Sequence, residues 1–412
     1  MRKNKLTCLV LTLIVGVLTL STVSTGSPEG LRYGLERLDQ AIPDAQPASA
    51  HNVIVITIDG LRWQEFFGGA DRDYFKRDKN GSGVEPERRF WRPNAAERRA
   101  TLMPFMWKAM ATSGQIFGDS TAGSESRLTN GLWFSYPGYN EMFAGRADPR
   151  VDSNNKVPNP NVTVLEWLNR RPGFEGRIAA FGSWDVLPSI LNIERSGITI
   201  GSGWKPVPAP ATDRDRAINE LAADLPRLWG YGPPDAPIVY AALEQLRTHH
   251  PRVLYVMLGE GDEWAHEGRY DLYLDATQRA DRFIERIWNT VQSLPGYRDQ
   301  TALLVTTDHG RGATTKDWTD HGREVPAAER TWIALLGAGV PQSGIRRDVK
   351  VTTSQIAATI AALVAEDFRA AVPAASPPLP LFAAQGGGGI DARRAAGGDV
   401  AGGATYEQKR ND

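Results

Sequence analysis

Five apolar runs punctuate the chain: NVIVITI (52–58), RIAAF (177–181), RVLYVML (252–258), TALLVTT (301–307) and TWIALL (331–336). Their continuity constrains the fold more than any other feature. A strand with one wet face alternates apolar and polar residues, whereas these runs leave no face for water. Helix-like segments separate several of them. The clearest, YDLYLDATQRADRFIERIWNTVQSL, sets Tyr270, Tyr273, Leu274, Thr277, Ala280, Ile284, Ile287, Trp288 and Val291 along one stripe. Buried strands alternating with helices predict an α/β fold with a central, mostly parallel sheet and helices on both faces. In such sheets ligands gather beyond the carboxyl ends of the strands.

Composition sets the limits of the folded part. MRKNK, LTCLVLTLIVGVLTL and STVSTG read as the basic, apolar and small-residue regions of a signal peptide over residues 1–24. The apolar stretch falls short of the ~20 residues of a membrane span. The reading is therefore a cleaved signal, no stable membrane span afterwards, and a periplasmic or secreted protein. Residues 25–50 read as a linker, and residues 372–412, with AAVPAASPPLPLF and QGGGGIDARRAAGGDVAGG, as a low-complexity, disordered tail. The catalytic domain is expected over residues 51–371. The single cysteine, Cys8, lies in the signal, so the mature chain has neither disulfide nor thiolate nucleophile. A formal net charge of −1 offers no basic field to nucleic acid, and the oligomeric state is not legible.

Three of the apolar runs end in chemistry. The first delivers Asp59 in TIDGLR, the third Asp262 and His266 in LGEGDEWAHEG, and the fourth Asp308 and His309 in TTDHGRG. A single aspartate after a strand is ordinarily a turn former or helix cap. The joint pattern is different: of six histidines, His266, His309 and His321 each stand near an aspartate, whereas His51, His249 and His250 do not. Asp262 and His266 are four apart, so a helical turn points both the same way. Carboxylates and neutral imidazoles without thiolates suit zinc or a similar divalent ion such as manganese. Six such ligands exceed what one catalytic ion needs. Two ions roughly 4 Å apart are the economical solution, and a pair of that kind suits displacement at phosphorus.

A nucleophile candidate precedes them. In LTNGLWFSYPGYNEMFAGR, Ser135 stands where a helix could begin, with its N-terminal amides favouring an anion. A serine there, activated by a metal rather than a base, is a competent nucleophile. Taken alone, Ser135 could equally be a helix cap.

Taken together, VITIDGLR, SYPGYNEMFAG, GEGDEWAHEG, LVTTDHGRG and the HG at 321 resemble the alkaline phosphatase superfamily, above all its nucleotide pyrophosphatase/phosphodiesterase and related metal-dependent phosphatase branches. The resemblance spans nearly the whole expected domain and implies an alkaline-phosphatase-like fold. It implies Asp262, His266 and His321 around one ion, and Asp59, Asp308 and His309 around the other, with Ser135 beside the second. It further implies attack by Ser135 on a small-molecule phosphate ester, a phosphoserine, and its hydrolysis by water.

Two departures bear on the substrate. His321 follows His309 closely and no later histidine exists, a spacing closer to the phosphomutase and sulfatase-like branches. The phosphodiesterases also place an asparagine past the nucleophile, against the phosphoryl oxygen. RVDSNNKV offers Asn154, Asn155 or Lys156 for that role, with Asn155 the choice, and Arg311 is a second candidate phosphate clamp. Sulfatases of the superfamily carry Cys/Ser-x-Pro-x-Arg, and SYPGY has Tyr139 where the arginine would stand. The rival readings are a sulfatase-like or phosphonate hydrolase, and a non-catalytic metal-stabilised binding protein. Trp133, Trp184, Trp264 and Trp318 flank the candidate residues, and the Pro- and Gly-rich stretch 183–237 reads as an irregular insertion bearing on specificity.

Overall fold

Every residue of the strand Asn52–Ile58 (β1) is buried, and its two sides serve two different cores. Ile54, Ile56 and Ile58 join one cluster with Ile284 and Ile287, whereas Val53 and Val55 join another with Phe143 and Ile360. Successive side chains of a strand point to opposite faces, so a strand apolar throughout requires cover on both. The computed structural model describes residues 49–76 and 84–382. The expected signal, almost all of the linker, and residues 383–412 of the expected tail lie outside them.

The remaining strands are β2 (Gly114–Phe117), β3 (Glu125–Arg127), β4 (Ile178–Gly182), β5 (Thr199–Ser202), β6 (Val253–Leu258), β7 (Thr301–Thr306), β8 (Ile333–Gly337), β9 (Gly344–Ile345) and β10 (Lys350–Thr352). Eight of them form one sheet in the order β5-β4-β6-β1-β7-β8-β2-β9, while β3 and β10 pair separately. The pairs β4/β5, β4/β6, β1/β6 and β1/β7 are parallel, and only β8 runs antiparallel to its neighbours β7 and β2. All five runs read from the sequence are strands of this sheet.

Among the flanking helices, five matter here: α1 (Ser135–Ala144), α2 (Asp235–Thr248), α3 (Glu260–His266), α4 (Tyr270–Ser293) and α5 (Ile356–Leu363). The stripe predicted on α4 is buried apart from Trp288, which packs against the core while partly exposed. α4 covers one face of the sheet, and α1 and α5 the other.

Two boundaries differ from expectation. Ala50 is already buried, and residues 372–382, assigned to the tail, pack onto the domain: Ala375, Leu379 and Leu381 are buried. Gln115 Nε2 donates to the Leu381 carbonyl at 2.8 Å, and Arg346 Nη1 donates to the Pro380 carbonyl at 3.0 Å. The prolines suggested disorder, but the leucines among them find a surface. The stretch 183–237 is also more regular than expected, since it contains β5 and the capped helix Asp213–Asp224. Among the described residues no helix is long and apolar enough to cross a membrane.

Candidate active site

The sheet order explains why three distant acids meet. β6, β1 and β7 are adjacent and parallel, so Asp59 after β1, Asp262 in the first turn of α3 after β6, and Asp308 with His309 after β7 emerge at one carboxyl edge. Asp59, Asp308 and His309 bring one ligand atom each within 4.8 Å of one another, and Asp262, His309 and His321 form a second such group. The first group coincides with the expected ligand set. In the second, His309 replaces His266, whose Nε2 lies 3.1 Å from both Asp262 Oδ2 and His321 Nε2. His309 thus stands between the two groups.

Local bonds fix the orientation of each side chain. His309 Nδ1 donates to the Gly310 carbonyl at 2.8 Å, which turns Nε2 toward Asp59 Oδ1 (3.3 Å), Asp308 Oδ2 (3.5 Å) and Asp262 Oδ1 (3.8 Å). The Gly60 amide donates to Asp308 Oδ1 at 3.1 Å, and Tyr139 OH donates to Asp59 Oδ2 at 2.8 Å. The opposite oxygens, Asp59 Oδ1 and Asp308 Oδ2, are buried without a hydrogen-bond partner, as is His321 Nδ1. Buried carboxylate oxygens without partners are costly, and a cation between them removes that cost. The donor set of carboxylate and imidazole therefore fits divalent ions.

The ligand groups shift one another's protonation. Burial works against the charged form of His309, but Asp308, Asp59 and Asp262 outweigh it and hold the imidazole up at about 9. Burial and the neighbouring His309 push His321 down to about 2, which keeps it a neutral ligand. Burial and Asp59 raise Asp308 well above the usual carboxylate range. Asp262 goes the other way: burial would raise it, but the Arg311 guanidinium, with smaller contributions from His266 and His321, holds it well below.

Ser135 is the first residue of α1, buried, with Oγ 3.3 Å from His309 Nε2. The turn ahead of it is held by a residue that sequence reasoning missed. The Glu141 carboxylate accepts from the amides of Thr129 and Asn130 and from Thr129 Oγ1, each at 2.9 Å. Asn130 Oδ1 in turn accepts from the amides of Leu132 and Trp133. A glutamate six residues into a predicted helix carries no sequence signal for this; only the folding back of the 129–134 loop creates it.

Two substrate-side expectations are corrected. Asn154, not Asn155, lines the cavity above Ser135, because Asn154 Oδ1 accepts from the Tyr136 amide at 3.0 Å and is thereby drawn to the mouth of α1. Arg311 does not line that cavity: it is fully buried, pairs with Asp262 Oδ1, and donates to the carbonyls of Asp262 and Thr319. The cavity, about 440 Å³, also exposes Lys156 and Asp185, paired at 2.6 Å, together with Trp184, Val186 and Tyr231. Of the four flanking tryptophans, only Trp184 lines it.

Residues 234–370 match the family model described as Metalloenzyme superfamily. No curated protein sequence matches the chain. Among solved structures, the lipoteichoic acid synthase LtaP from Listeria monocytogenes is 10% identical, with a TM-score of 0.50 over 78% of this chain and 73% of that one. The phosphonate monoester hydrolase of Agrobacterium radiobacter is 12% identical (TM-score 0.47, 76% and 73% covered). A protein in the alkaline phosphatase superfamily from Vibrio parahaemolyticus is 13% identical (TM-score 0.45, 78% and 69% covered). Residues 234–370 thus match the Metalloenzyme superfamily model, in a chain whose α/β fold, with its large, mostly parallel sheet, is similar to that of the lipoteichoic acid synthase.

Proposed function

We propose that this chain is an exported phosphoric ester hydrolase that works with two divalent ions and a phosphoserine at Ser135. The observation that carries the reading is the position of Ser135 Oγ, 3.3 Å from His309 Nε2 and on the wall of a cavity that Asp59, Asp262, His266 and His321 also line. Zinc or manganese ions held by Asp59, Asp308, His309, Asp262, His321 and His266 would supply positive charge against the phosphoryl oxygens and a lowered pKa for the serine hydroxyl.

The chain's own groups do the rest. Ser135 Oγ attacks phosphorus while the ester oxygen leaves toward the cavity, and water later cleaves the phosphoserine. Asn154 spends Oδ1 on the Tyr136 amide, so its Nδ2 is the donor it can offer a phosphoryl oxygen. Trp184, Val186 and Tyr231 form an apolar wall for the ester group, while Lys156 is already engaged by Asp185. Tyr139 bears on the sulfate alternative. It supplies a neutral phenol where the sulfatase signature has a guanidinium, and that phenol is committed to Asp59. The basic and apolar residues within 1–24 support a periplasmic or secreted location.

The test is turnover of p-nitrophenyl phosphate, its bis ester, its phenylphosphonate and its sulfate by the ion-loaded protein, with Ser135→Ala alongside. The expected result is phosphoryl-ester turnover above sulfate turnover, about two ions per chain, and a loss of at least ~10³-fold in Ser135→Ala with the ions retained. Unchanged turnover in Ser135→Ala would refute the nucleophile, and a chain that binds no ions would refute the whole reading.

A further inference from the structure

Tyr139 lies one helical turn beyond Ser135 on α1, so nucleophile and phenol face the same way. The ring is fully buried, and its hydroxyl donates to Asp59 Oδ2 at 2.8 Å. Asp59 comes from the end of β1, the central strand of the ligand edge, so this one bond joins the nucleophile's helix to a candidate ligand on a different element. Asp308 is treated alike: the Gly60 amide takes Oδ1 and leaves Oδ2 without a partner. In both carboxylates one oxygen is tied to the protein and the other is turned, unpartnered, toward His309 Nε2.

We propose that Tyr139 is a positioning residue for the ion beside Ser135: its phenol fixes Asp59 in the one rotation that presents Oδ1, and links that ligand rigidly to the nucleophile's helix. The inference rests on the two-ion reading above. A phenol suits the task. It donates a single bond without bringing a positive charge, so Asp59 keeps its full attraction for a cation, which a guanidinium at the same position would diminish. The hydroxyls of Thr57 and Tyr255, 2.9 Å apart, neighbour its own. An unsupported carboxylate could rotate about its terminal torsion, which is broad, and lose the alignment of Oδ1.

The experiment is zinc titration of the metal-free chain, read by calorimetry and native mass, for wild type, Tyr139→Phe, Asp59→Asn and the double variant. Tyr139→Phe removes one oxygen and keeps the buried ring, and thermal unfolding without metal checks that it folds. Removal of a partner that orients a ligand typically costs about 10–100-fold in metal affinity. The expected result is that loss at one of two ions, with the other unchanged and no further loss when Tyr139→Phe is added to Asp59→Asn. Wild-type affinity for both ions in Tyr139→Phe, or an equal loss in the Asp59→Asn background, would overturn the inference. Should Tyr139→Phe prove unfolded without metal, the same hydroxyl would be shown to be structural, which also overturns it. A wild-type chain that takes up no zinc would instead refute the two-ion reading itself.

Discussion

A β-carbon on Gly138 would lie 2.5 Å from the carbonyl oxygen of Asp308. The helix that begins with Ser135 therefore rests directly on the backbone that carries two of the candidate ligands, with no side chain between them. Neither partner yields easily, since one is helix and the other the buried bend two residues past β7. Gly138→Ala should cost about 1–3 kcal/mol through overpacking. Turnover should fall further than stability, because the displaced helix moves Ser135 away from His309. Gly68→Ala, at the end of the helix Trp63–Gly68, meets nothing within 4 Å and should leave both unchanged. Thermal unfolding and saturating turnover of the two variants decide; equal behaviour would remove the significance of the close approach.

Arg311 gives a second prediction. Its guanidinium spans the carboxylate and the carbonyl of Asp262 and the carbonyl of Thr319, three acceptors that one ammonium group cannot reach together. Arg311→Lys should lower stability by about 1–3 kcal/mol and weaken ion binding at Asp262. KM measured with saturating ions should hold. A raised KM with unchanged melting temperature and ion affinity would return Arg311 to the role of a phosphate clamp.

Asp281, on the far side of the sheet from α1, predicts a pH effect independent of the ions. Its carboxylate accepts from the amides of Phe105 and Met106 at 2.9 Å, and burial pushes its pKa up to about 7. An exposed aspartate titrates near ~3.9. The folded state thus prefers the protonated form, and the stability this brings is present below the unfolded value and lost as pH rises through about 7. In chelator, the melting temperature should fall from about pH 5 to about pH 8, and fall less in Asp281→Asn. Identical slopes for the two proteins would exclude Asp281 as the cause.

Much of this was legible in the sequence because both signals are local. Five apolar runs announced five strands, and a residue at the end of a buried strand is placed by the strand itself. That is why Asp59, Asp308 and His309 converge as expected, and why the four-residue interval set His266 beside Asp262. The assignments that failed depend on loops. Asn154 and Asn155 differ by one position, and only the bond to the Tyr136 amide selects between them. Arg311 is a clamp candidate by its guanidinium alone, yet the fold buries that group against Asp262. Glu141 and Tyr139 lie within SYPGYNEMFAG, but nothing in that stretch announces their partners, which they meet only once α1 has docked against the sheet and the 129–134 loop has folded back.

The adjacency of β6, β1 and β7 has a consequence for the order in which the protein matures. The three strands that deliver the acids come from the beginning, the middle and the later part of the domain, with β1 in the centre and each neighbour arriving only after long intervening segments. An emerging chain therefore has no partial site. Until β7 docks beside β1, Asp59 and Asp262 lack Asp308 and His309, and no fragment ending before His321 has the full ligand set. Under the proposed two-ion reading, ion capture by the full set would then be a late event that reports completion of the sheet rather than one that seeds it. Long-range pairings of this kind form slowly, and once they have formed, ion binding draws the equilibrium toward the finished fold.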